Sequence, residues 1–77
     1  MPRILLVDDE TAIQRAFGPL LRSRGYEVTI AGTGRDALRL ATEQEPDLIV
    51  LDLGLPDLEG TEVCRRIRET STVPIVV

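Results

Sequence analysis

The chain has no histidine, no lysine and no tryptophan, and only one cysteine, one tyrosine and one phenylalanine among its 77 residues. Each absence closes off a chemistry. Without histidine there is no imidazole to act as acid, base or metal ligand. A single cysteine, Cys64, excludes an internal disulfide and suits a reducing cytoplasm. No apolar run approaches the ~20 residues that cross a bilayer. Asp8, Asp9 and Glu10 interrupt the first apolar stretch too early for a signal peptide. The nine cations are all arginines, and thirteen acidic groups outweigh them to a net charge of -4. That balance argues against nucleic acid or an anionic membrane as a direct partner. The expected location is cytoplasmic.

What is present reads as one small domain over residues 1–77. A chain of this length buries only about 60% of the surface exposed when unfolded, so marginal stability is expected. Strand and helix signals alternate. Arg3–Val7 is a continuous apolar run that suits a strand buried on both faces. A helix capped by Asp9 or Thr11 and reaching about Arg24 follows, with Ile13, Phe17, Leu20 and Leu21 on one face. Pro19 inside it predicts a kink or a restart, and Gly25 is a natural C-cap. Glu27–Ala31 is a second strand, about Arg35 to Gln44 a second helix ended by Pro46, and Asp47–Leu51 the most apolar strand. A third helix from about Gly60 to Glu69, with Val63 and Ile67 inward, precedes a fourth strand at Val73–Val77.

Strands separated by ten-residue helices imply right-handed crossovers and a parallel sheet. The expected fold is a doubly wound α/β sheet of order 2-1-3-4. Its first crossover goes one way from strand 1 and the next goes the other, and the switch point between strands 1 and 3 is where open α/β sheets place their binding crevice. Asp8 and Asp9 follow directly on the first apolar run, and Asp52 follows directly on Leu48-Ile49-Val50-Leu51. Motif and topology therefore choose one place. Two carboxylates about 4 Å apart repel by roughly 4 kcal/mol at an effective dielectric of 20, so three together would raise their own pKa values or seek a cation. An all-oxygen set selects Mg²⁺, or Mn²⁺, over zinc. It leaves one carboxylate to attack phosphorus and form an aspartyl phosphate.

These residues resemble the receiver domain of bacterial two-component response regulators. The resemblance is carried by Leu6-Val7-Asp8-Asp9-Glu10, by Asp47 through Asp57, by Gly60 and by the Val73–Val77 strand. The run Asp52-Leu53-Gly54-Leu55-Pro56-Asp57 is most like the KdpE type of winged-helix response regulator. The resemblance implies a flavodoxin-like (CheY-like) fold. It implies that Asp52 is the phosphoacceptor, charged by the phosphohistidine of a sensor histidine kinase. It further implies that Asp9 binds Mg²⁺ directly, that Asp8 holds it through water and that the Gly54 backbone carbonyl is a further ligand. Leu55-Pro56 shapes the loop beside the site, and the stretch from Ile13 to Phe17 resembles the helix face offered to the kinase. Such domains are signalling modules rather than enzymes, with DNA-binding output through another domain.

The family pattern has five βα units, and this chain is expected to be incomplete after the fourth strand. The family's switch Ser/Thr and its phosphate-pairing lysine belong to the missing part, and no lysine elsewhere stands in. An open edge at the fourth strand predicts partly exposed Val73, Ile75, Val76 and Val77 and self-association. The alternative function is therefore a phosphorylation-independent interaction or dimerisation module. A Mg²⁺-dependent phosphohydrolase fits less well, because Gly54 stands where such enzymes commonly carry a second carboxylate. A dinucleotide site lacks its Gly-rich fingerprint after the first strand.

Overall fold

In the computed structural model, which describes residues 1–77, the four apolar runs are parallel strands of one sheet. Strands β1 (Arg3–Val7), β2 (Glu27–Ala31), β3 (Leu48–Leu51) and β4 (Ile75–Val76) lie in the order β2-β1-β3-β4. Helices α1 (Thr11–Ser23), α2 (Gly34–Glu43) and α3 (Gly60–Arg68) connect them. The doubly wound architecture and strand order are those expected. β1 has a neighbour on each side: Ile4 pairs with Val28 and Leu48, and Val7 with Ala31 and Leu51. Its residues Ile4, Leu5, Leu6 and Val7 are all buried, which is why the run is apolar without alternation.

The core lies between the sheet and the α2/α3 pair. Leu5, Val7, Ala31, Ile49 and Leu51 meet Ala37 of α2 and Val63 and Ile67 of α3. The opposite face is covered less completely. α1 closes on β2, where a Cβ on buried Gly18 would stand 3.3 Å from Ile30 Cδ1. Its apolar stripe is only partly used, with Phe17 and Leu20 still 45% and 47% exposed. Between α1 and the strands runs an open apolar groove of about 460 Å³, floored by Leu6 and Val50 and bordered by Ile13, Phe17 and Val77.

Local sequence explains the element ends, with three corrections. First, α1 is capped by neither Asp9 nor Thr11. Glu10 occupies the cap position without a side-chain bond, and its own N–H donates to the Asp8 carboxylate at 2.9 Å. Second, α1 runs unbroken through Pro19. The missing N–H removes one bond of the ladder, and the helix does not restart there. Third, β4 pairs over Ile75–Val76 alone. Pro74 contributes only its carbonyl, which accepts from Ile49 N at 2.9 Å, and the flanking valines lie outside the ladder. Gly25 ends α1 as expected. At φ 91° it closes a Schellman turn, with Gly25 N donating to Arg22 O and Tyr26 N to Leu21 O. Thr33 caps α2 by accepting from Asp36 N at 3.1 Å.

The arginines of α3 are spent on the helix itself. Glu62 Oε2 accepts from Arg65 at 2.6 Å and from Arg66 at 2.8 Å. These bonds, Arg65's first, hold the Glu62 carboxyl down at about 2. A depressed carboxylate stabilises the fold above its unfolded value near 4.5 and loses that contribution as pH falls through about 2. The contribution is screened, because these side chains face solvent.

Candidate metal and phosphoryl site

The β1/β3 register places Asp8 and Asp52 beside each other, since each follows one member of the Val7–Leu51 pair. The ladder continues one bond beyond the strands. Asp52 N donates to Val7 O at 2.9 Å, and Asp8 N donates to Ala31 O at 3.0 Å. Both aspartates therefore leave the sheet with their backbones fixed, at its carboxyl edge. Asp9 is the next residue, turned out into solvent. One carboxylate oxygen from each of Asp8, Asp9 and Asp52 lies within 4.8 Å of the others.

Each half-buried member has one oxygen committed and one free. Asp8 Oδ1 accepts from Glu10 N, and its backbone carbonyl accepts from Gln14 Nε2 at 2.6 Å. Asp52 Oδ1 accepts from Gly54 N at 3.2 Å, which puts Gly54 on the rim of the cluster. The second oxygens of Asp8 and Asp52, and both oxygens of Asp9, have no protein partner. The donor set suits a small hard cation. Octahedral oxygens at ~2.1 Å from Mg²⁺ sit roughly 3 Å apart when adjacent and roughly 4.2 Å when opposite. A triad within 4.8 Å needs only small side-chain movements, or one intervening water, to meet that geometry.

The segment after Asp52 folds back to begin α3. Gly60 N donates to Leu53 O at 3.1 Å. A Cβ on Gly60 would stand 2.6 Å from Leu53 Cα and 3.0 Å from Asp52 O, so the close approach requires glycine. Leu55 and Leu58 tuck against the core. Asp57 reaches across to α2, where Oδ1 accepts from Gly34 N at 2.7 Å and Oδ2 from Arg35 N at 3.0 Å. The Gly34 N–H first, with the Arg35 N–H behind it, holds the Asp57 carboxyl below its ordinary 3.8.

The structure thus brings together all three carboxylates singled out in the sequence, with Gly54 adjacent. Ile13 and Phe17 line the apolar groove that opens beside Asp8 and Asp52. Sequence reasoning missed Gln14 and Asp57. Gln14 carried a faint signal, six residues after Asp8 on the first turn of a helix. Asp57 carried none, because its partners lie 22 and 23 residues earlier.

Residues 4–77 match the model of the response regulator receiver domain. The chain is 49% identical over its full 77 residues to the transcriptional regulatory protein AfsQ1 of Streptomyces coelicolor. It is 47% identical over the same length to the transcriptional regulatory protein KdpE of Mycobacterium tuberculosis. It spans 34% of the length of each of these two relatives. Among solved structures it resembles the receiver domain of the sensor histidine kinase PA1611 from Pseudomonas aeruginosa, which holds a magnesium ion in its active-site cleft. There the TM-score is 0.90 at 40% identity, over 96% of this chain and 63% of that one. No helix here is long and apolar enough to cross a membrane. Sheet order, the match over nearly every residue and the identity to these regulators agree: the chain belongs to the response regulator receiver family, the signalling domain of two-component systems.

Proposed function

We propose that Asp52 is a phosphoacceptor, charged by the phosphohistidine of a sensor histidine kinase while Mg²⁺ is held by Asp9, Asp8, Asp52 and the Gly54 carbonyl. The observation that carries this reading is the convergence of three carboxylates within 4.8 Å at the carboxyl edge of β1 and β3. Asp52 Oδ1 is engaged by Gly54 N, and the other oxygen has no protein partner. That oxygen attacks phosphorus, the P–N bond of the phosphohistidine breaks, and the imidazole leaves with the bonding electron pair. The product is a mixed anhydride on Asp52. A bound Mg²⁺ supplies positive charge against the transferring group. The PA1611 receiver, with magnesium in its cleft, supports that choice of ion. The output proposed for this domain to serve is transcription control, as the names of AfsQ1 and KdpE state for those proteins.

Intact mass after incubation with Mg²⁺ and acetyl phosphate tests the assignment. Wild type should gain one phosphoryl group and Asp52→Asn none. An equal gain by both would refute it, and no gain by folded wild type would favour the second reading.

That second reading is a module that associates without phosphorylation, and the apolar groove favours it. Phe17, Leu20, Val76 and Val77 leave apolar surface open along one side of the molecule, and β4 has one unpaired edge. Its occupant would be a second copy of the chain. Sedimentation velocity of the 77-residue chain across a hundredfold concentration range should show a concentration-dependent dimer. A single monomer boundary throughout would rule it out.

A further inference from the structure

Residues 52–59 form the link between β3 and α3, and this link carries half of the proposed site. Within it the backbone is held by two internal bonds, Gly54 N to Asp52 Oδ1 and Gly60 N to Leu53 O. Neither ties residues 53–59 to any element other than α3. The only hydrogen bonds that do are the two accepted by Asp57 from Gly34 N and Arg35 N, at 2.7 and 3.0 Å. Leu55 and Leu58 pack beneath the link, but apolar contact is non-directional and tolerates sliding. A carboxylate spanning two consecutive N–H groups at the start of α2 fixes both position and orientation.

The fit is specific at the α2 end. A Cβ on Gly34 would stand 2.8 Å from Leu58 Cβ and 3.0 Å from Val63 Cγ2. The missing side chain lets the residue after Asp57 seat directly on the helix. Thr33 meanwhile caps α2 through Asp36 N, so the Gly34 and Arg35 N–H groups remain for Asp57. Two side chains thus divide the first turn of α2, Thr33 with one oxygen from its own chain segment and Asp57 with two from the link.

We infer that Asp57 is a positioning residue. Its bidentate staple to the first turn of α2 sets the Asp52–Gly54 segment in the geometry that binds the divalent cation. This rests on the phosphoacceptor reading above and adds to it a residue that touches neither metal nor phosphoryl group. Asp57 is three residues beyond Gly54 and bonds only to α2, so its effect must pass through the backbone of the link.

The test is the dissociation constant for Mn²⁺, followed by electron paramagnetic resonance on the intact 77-residue chain at low temperature, where each variant is verified as folded. Asp57→Ala should weaken Mn²⁺ about tenfold, the low end of the effect of removing groups that orient metal ligands. Asp47→Ala is the control. Asp47 Oδ2 accepts from Arg3 N at 2.8 Å, a single carboxylate-to-backbone bond at the far end of the sheet. Its loss should lower the melting temperature without changing Mn²⁺ affinity. The Gly54 amide resonance of the metal-free protein should move in Asp57→Ala and stay in place in Asp47→Ala. If Asp57→Ala does not fold, Asp57→Asn carries the test, because it keeps the shape and offers one acceptor where two are needed. Wild type and Asp57 variant binding Mn²⁺ equally would overturn the role of Asp57 alone. Wild type failing to bind would overturn the phosphoacceptor reading and this inference with it.

Discussion

Mg²⁺ at one hundred times its dissociation constant should raise the melting temperature of this chain by roughly 10–20 °C, and Asp9→Ala should abolish the rise. A ligand bound only by the folded state stabilises it by ~2.7 kcal/mol at that saturation. For a domain of 60–100 residues each kcal/mol moves the midpoint by about 4–8 °C. In the unfolded chain Asp52 lies far along the sequence from the adjacent Asp8 and Asp9, so the three-carboxylate site does not exist there. The variant should also separate two effects of the same carboxylate. Removing Asp9 takes away a ligand and relieves repulsion with Asp8 and Asp52, whose oxygens lie within 4.8 Å of its own. Without metal, Asp9→Ala should therefore melt no lower than wild type. With metal it should melt far lower. Differential scanning fluorimetry with and without 10 mM Mg²⁺ reads both, and a wild-type-sized shift in Asp9→Ala would disprove the metal assignment. (The 10 mM is about the excess needed for a sub-millimolar site.)

Gly60→Ala should cost about 2 kcal/mol, a fall in melting temperature of roughly 8–16 °C. Two effects of opposite sign compete. Alanine is the better helix former by about 1 kcal/mol, though less so in a first turn. Against that, its Cβ would meet Leu53 Cα and Leu53 Cδ2 at 2.6 Å and Asp52 O at 3.0 Å. Leu53 Cα and Asp52 O are backbone atoms that move only with the whole link, so overpacking wins. The displaced atoms include the carbonyl of Asp52 itself, so acetyl phosphate labelling should slow in the same variant. Thermal melting followed by circular dichroism measures the loss, and a midpoint within a degree of wild type would show that the link yields freely. Gly34 is held as tightly: its nearest would-be neighbour is Leu58 Cβ at 2.8 Å, an atom that moves only with the backbone of the link.

The fold was legible because its apolar runs are unambiguous. Arg3–Val7 and Glu27–Ala31 occupy the strands expected, residue for residue, and β3 differs only in starting at Leu48. Asp47 falls outside it because its side chain folds back to the Arg3 N–H. The three carboxylates could be placed together because a parallel register carries strand ends forward together. The ends of α1 and β4 were harder. The cap of α1 depended on a competition among Asp8, Asp9, Glu10 and Thr11 for the same few N–H groups, which spacing does not decide. β4 depended on how much of an edge strand one neighbour can hold. Asp57 was beyond sequence reasoning for a different reason. Turn chemistry explains an aspartate after Leu55-Pro56 equally well, and only the folded chain reveals that its oxygens reach a helix two elements earlier.

The central position of β1 also has a price in time. Its two ladders join Ile4 to Val28 and to Leu48, so neither can form from neighbouring sequence, and such non-local pairing slows folding. A ribosome adds about 5–20 residues per second. Ile4–Val7 therefore waits on the order of 2–9 seconds after its own synthesis before its second partner strand exists. Until then, the stretch that ends as the best-buried strand has at most one of the two ladders that hold it in the finished sheet.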